Sequence, residues 1–150
     1  MRMIGACALG FVCATAWTLT GRPPVLTERV LAAQASSASS TTYQDVYNGW
    51  KWWHVYCFRC HGTDAIGTTQ APNLIDTNAR ISRAAFLKFV RDGVPDKGMQ
   101  AWDKMLDTKQ IGQLYVYVRA RADKVLPPGR PDEVGPNAGP WVPPSGWRAR

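Results

Sequence analysis

Cys57, Cys60 and His61 are the residues whose types and spacing suit chemistry, and they stand together in the run Cys57-Phe58-Arg59-Cys60-His61. Two cysteines three apart on a helical turn present both sulfurs to one side, where each thiol can add across a vinyl group of a porphyrin. A histidine directly after the second cysteine holds its imidazole over the metal as a proximal ligand. The pattern is therefore read as the attachment site of one covalently bound haem c. Two other uses of a cysteine pair fail. A structural zinc site needs four ligands, and outside the first fifteen residues there is no other cysteine and one other histidine, His54. A thioredoxin-like pair needs a strand–helix–strand setting, and no strand pattern is present.

The elements that must position this motif read as helices. From about Thr42, Asp45 sits in a first helical turn, and Val46, Gly49, Trp53 and Cys57 recur at three- and four-residue spacing, giving one buried face that ends at the cysteines. Gly49 inside a helix costs stability, and a close crossing with a second helix would explain it. A loop from Gly62 to Asn73 follows. Ser82 reads as the N-cap of a helix over about Arg83–Arg91, with Ala85, Phe86, Phe89 and Val90 on its inner side, ended by Asp92-Gly93. Residues 93–102 read as an irregular loop. Asp107 and Gln110 form a capping box, and the helix they open runs to about Asp123, burying Ile111, Leu114, Tyr117 and Val118. The fold class expected is all-α, with no internal repeat.

The flanks carry different signals. Residues 1–35 begin with a short basic start and an apolar stretch, the layout of a secretory signal, with Ala33-Gln34-Ala35 or the earlier Ala14-Thr15-Ala16 as the cleavage site. An uncleaved membrane anchor is the less favoured alternative, because the apolar run is near the lower limit for a span. Either way the domain is exported. Cys7 and Cys13 belong to this segment and are given no disulfide role. Residues 36–41 form a polar linker and 42–125 the domain. Residues 126–150 are dominated by proline and glycine, cannot form helix or sheet, and are expected to lie along the surface or to be mobile.

The chain has 150 residues and a formal charge of +7. Removing residues 1–35 takes away Arg2, Arg22, Arg29 and Glu28 and leaves +5. Lysines and arginines are scattered rather than clustered, which argues against nucleic acid and for a docking surface or plain solubility. One small domain has a marginal core. A covalently tethered haem would staple it.

Over residues 42–125 the sequence resembles the small class I c-type cytochromes. Gly49 and Trp53 are similar to the glycine and aromatic of that family's N-terminal helix, and Leu114 and Tyr117 to their partners on the C-terminal helix. Pro72-Asn73-Leu74 is similar to a segment in which the proline carbonyl accepts the Nδ1–H of the proximal histidine and the leucine packs on the haem. Lys97-Gly98-Met99 resembles the loop that brings the distal ligand, which implies Met99 as the second iron ligand beside His61. A thioether is a soft ligand that raises the potential of a haem iron. Met105 is the competitor, and its place before a helix cap suits packing better. Gln100 departs from the proline that commonly follows the ligand methionine. His54, on the helix of the cysteines, cannot reach the far haem face.

Tyr47-Asn48-Gly49-Trp50-Lys51-Trp52, the Lys-Gly-Met loop and Leu126-Pro127-Pro128-Gly129-Arg130-Pro131 are most similar to periplasmic cytochromes that accept electrons from quinoprotein (PQQ-dependent) alcohol dehydrogenases. That resemblance implies a monomeric one-electron carrier of the periplasm, not an enzyme, with no catalytic residue. It would take electrons from such a dehydrogenase and pass them to an oxidase or another cytochrome, steered by Arg59, Lys97 and Lys104. A haem c subunit of a larger oxidoreductase complex and a ligand-binding haem enzyme or sensor are the alternatives.

Overall fold

Thr42 opens the first helix with a reciprocal cap. Its hydroxyl accepts the Asp45 N–H at 3.1 Å, and the Asp45 carboxylate accepts the Thr42 N–H at 3.3 Å, which satisfies two of the free donors at a helix start. Helix α1 then runs Tyr43–Trp52. It widens into a π-helical turn, Trp53–Cys57, in which the Phe58 N–H donates to the Trp53 carbonyl. It tightens again as α2, Phe58–His61, and ends at Gly62, whose φ of +78° suits glycine. The computed structural model describes residues 41–78 and 80–150. The expected export segment 1–35, with Cys7 and Cys13, and all of the expected 36–41 linker except Thr41 lie outside the described residues.

A short helix, α3, Leu74–Asn78, follows the loop, where the sequence suggested none. Helix α4, Arg83–Asp92, has Ser82 as its cap, accepting the Ala85 N–H at 3.2 Å, and is closed by Gly93 at φ +73°. Phe86 and Val90 point into the core as expected, but Phe89 is 46% exposed. The inner stripe runs along 86 and 90, and Phe89 sits off it. A 3₁₀ turn, Pro95–Lys97, leads to Gly98 and an isolated pairing of Val94 with Met99, the one bridge among the described residues. Asp107 and Gln110 cap α5, Thr108–Ala122, by bonds of 2.7 and 2.8 Å. The architecture is all-α.

The core is built where α5 crosses α1. A Cβ on Gly49 would stand 2.0 Å from the Gln113 carbonyl oxygen and 2.8 Å from the Tyr117 Cβ. The expected partners were Leu114 and Tyr117; the backbone of Gln113 takes the place given to Leu114, which is buried elsewhere in the same core. The Gln113 side chain also spans the crossing, accepting from Trp52 Nε1–H at 3.2 Å and donating to Asp45 at 3.4 Å.

Most of the segment 126–150 lies along the surface, as expected, but it is anchored inward at a few points. Leu126 and Trp141 are buried, and both Trp141 and Trp147 anchor through their indole N–H groups, to the Val125 carbonyl at 2.8 Å and the Asp123 carboxylate at 2.9 Å. Proline forbids regular helix and sheet hydrogen bonding but not burial; Pro136–Ala138 even forms a 3₁₀ turn. Farther on, the Ala149 N–H donates to the Thr41 hydroxyl at 3.3 Å.

Candidate cofactor site

The π-helical turn sets the site. Its wider ring delays the helix by one residue, so Trp53 is buried against α5 while Cys57, at the end of the turn, is half-buried and Cys60 is exposed. Neither thiol is in a disulfide. Burial, and secondarily Cys60 beside it, pushes the Cys57 thiol up to about 12. Trp53 lies between the helices and the motif, its ring 5.9 Å from those of both Tyr117 and His61. Its indole N–H is shared by the carbonyls of Gly62 (3.0 Å) and Thr63 (3.2 Å), the residues that lead away from His61.

The loop that follows folds back over the motif. Gly67 N–H donates to the His61 carbonyl at 2.8 Å, Leu74 N–H to the Ala65 carbonyl at 2.9 Å, and the Thr68 hydroxyl to the Cys60 carbonyl. Gly67 is required twice over, by φ +83° and because a Cβ there would meet the Asn73 nitrogen at 2.5 Å. The result is that the Pro72 carbonyl stands 3.2 Å from Nδ1 of His61. Nδ1 must carry the proton to make that bond, which leaves the Nε2 lone pair for a metal. Leu74 and Met99 are half-buried against the core.

Gly98, just before Met99, adopts φ +80°, a turn conformation that suits glycine. Met105 is 55% exposed and fills no packing role. His54 stays on the helix, as anticipated, with Nδ1 2.9 Å from the Trp50 carbonyl. It is one rung of a row of rings along the helical run: Tyr43, Tyr47, Trp50, His54 and Phe58 follow at centroid spacings of 5.8, 5.9, 4.4 and 5.8 Å. Their three- and four-residue spacing was legible as a stripe. Asp64, which the sequence did not single out, carries no motif signal at all.

Among the described residues no group of three or more His, Cys, Asp or Glu side chains could hold a bare metal ion. Two thiols beside one imidazole with a protonated Nδ1 are instead the donors that a covalently tethered haem would use. The family described as cytochrome C oxidase, cbb3-type, subunit III matches residues 44–118. Cytochrome c-555 of Methylococcus capsulatus is 31% identical over 114 residues, 72% of this chain and 89% of that protein. The chain belongs to the c-type cytochromes. It therefore carries covalently bound haem c. The crystal structure of c-type cytochrome XoxG from Methylobacterium extorquens AM1 superposes on the cytochrome with a TM-score of 0.54 at 32% identity, over 58% of this chain and 56% of that one. The cytochrome thus spans little more than half the length of that relative.

Proposed function

We propose that this cytochrome is a one-electron carrier of the periplasm and not an enzyme, with haem c on Cys57 and Cys60, His61 as the proximal ligand and Met99 as the distal one. Its donor is a quinoprotein alcohol dehydrogenase, and its acceptor an oxidase or another cytochrome. The observation that carries this reading is the Pro72 carbonyl on Nδ1 of His61 at 3.2 Å, directly beside two cysteines that form no disulfide. Each thiol adds its S–H across one vinyl double bond, sulfur to one carbon and hydrogen to the other, so no oxidant is consumed. The bound haem supplies a reversible change between ferric and ferrous iron.

The protein's residues do the rest. His61, with Nδ1–H donated to Pro72, presents Nε2 in a fixed tautomer and with raised basicity. Met99 would supply the second iron ligand through its thioether, so that no position would remain for oxygen or substrate. Exposed Arg59 and Lys97 attract an acidic donor, and Lys104 adds to them with its charge partly offset by Asp103 at 3.5 Å. Absorption spectra of exported protein in both oxidation states test the haem and its sulfur ligand; a colourless protein ends the reading. Electron uptake from a quinoprotein dehydrogenase is expected to slow as salt rises, and rates indifferent to ionic strength would remove basic steering.

A second reading, a haem c subunit of a larger oxidoreductase complex, draws support from the oxidase-subunit description of the matching family. Sedimentation of the exported cytochrome separates the two: a monomer supports the free carrier, co-sedimentation with an oxidase the subunit.

A further inference from the structure

The loop over residues 62–73 holds the Pro72 carbonyl against His61, and it does so in a strained shape. Ala65 is fully buried at φ +66°, a conformation that a residue with a Cβ keeps only when its surroundings insist on it. Trp53 insists from one side, through the Gly62 and Thr63 carbonyls. From the other side, what holds the loop is the residue just before Ala65. The Asp64 carboxylate accepts the Gly129 N–H at 3.0 Å and stands 3.8 Å from Nε of Arg121.

Arg121 makes that contact necessary. Its side chain is 7% exposed on the inner face of α5, and its Nη1–H donates to the Leu126 carbonyl at 2.6 Å. A buried guanidinium needs a negative partner, and among the described residues Asp64 is the carboxylate paired with it. One carboxylate therefore ties three parts of the chain together: the proximal loop, the C-terminal helix and the start of the proline-rich segment.

We propose that Asp64 is a positioning residue for the iron's proximal ligand, holding the loop through Arg121 and Gly129 so that the Pro72 carbonyl stays on Nδ1–H of His61. The inference rests on reading His61 as the haem ligand. The segment 126–150 then belongs to the redox centre mechanically, although none of its residues is assigned to the haem.

The test follows the His61 Nδ1 proton in ferric holoprotein by NMR, measuring its exchange with deuterium, together with the reduction potential. Asp64→Ala is expected to speed that exchange on the order of tenfold, the worth of one hydrogen bond, and to raise the potential because a weaker bond makes the imidazole a poorer donor. Asp64→Asn keeps an acceptor for Gly129 and is expected to fall between wild type and Ala. An Ala variant with haem attached, wild-type exchange and wild-type potential overturns the proposal. Where the Ala variant yields no holoprotein, the wild type decides: the Gly129 amide and the Nδ1 proton are expected to open together, with the same dependence on added denaturant. A Gly129 amide that exchanges freely while the Nδ1 proton stays protected also overturns it. Failure of the underlying ligand assignment looks different, since the wild type itself would then show no haem-shifted His61 resonances.

Discussion

Gly49 on α1 lies so close to the Gln113 carbonyl on α5 that a single added carbon would stand 2.0 Å from that oxygen. The obstacle is backbone and cannot rotate away. Alanine at 49 gains helix propensity worth up to about 1 kcal/mol, but forcing the two helices apart costs more. Gly49→Ala is expected to lose at least ~2 kcal/mol, read from denaturant unfolding of the holoprotein. A variant as stable as wild type would mean that the crossing is wider than described.

Met99→Ala opens the distal face of the haem. The holoprotein is expected to lose the sulfur-to-iron signature of its ferric spectrum, to bind carbon monoxide rapidly in the ferrous state, and to fall in potential. Met105→Ala, at a position that is 55% exposed, is expected to change none of these. If the effects fall on Met105 instead, the ligand assignment is reversed.

Tyr117 is fully buried and its hydroxyl has no hydrogen-bond partner among the described residues. Burial raises its pKa, with the Asp64 charge adding to the effect. A group whose proton is held more tightly in the folded state stabilises fully below its unfolded pKa, and that contribution is lost as pH climbs past about 10. Tyr117→Phe is therefore expected to hold or gain ~1 kcal/mol at neutral pH by removing an unpaired buried hydroxyl. It should also flatten the alkaline fall in stability. Thermal unfolding across pH 7–11 (a window set by the ~10 above) measures both, and a Phe variant weaker at neutral pH would show that the hydroxyl has a partner.

Trp141 distinguishes a packed C-terminal segment from a loose one. It is 4% exposed and meets Trp147 edge to face at 5.8 Å. Trp141→Ala is expected to lose roughly 3–5 kcal/mol, where a mobile tail would lose almost nothing. Unfolding by denaturant gives the difference directly.

Local signals were the ones legible in the sequence. The caps at Ser82 and Asp107, the stripe ending at the cysteines, and the Gly49 crossing all follow from rules that act within one helix or one pair. The Pro72 bond to His61 was reached through family resemblance, since the two lie eleven positions apart across a loop. What stayed hidden depends on distant partners. Asp64 finds Gly129 and Arg121 far along the chain, and nothing in its neighbours announces either. Proline content in 126–150 excluded regular structure correctly and was silent on whether tryptophans would pull the segment inward. The π-helical turn was missed because its apolar spacing differs from an α-helix by one residue over a single turn. Phe89 stands beside the buried stripe of Phe86 and Val90 and was counted in it.

Thr41 and Ala149 adjoin, joined by a hydrogen bond of 3.3 Å. The helical run from Tyr43 to His61 starts beside them and carries the cysteine motif roughly 25 Å away at 1.5 Å per residue. The two ends of the described stretch thus meet at the start of α1, a full helical run from the cysteines.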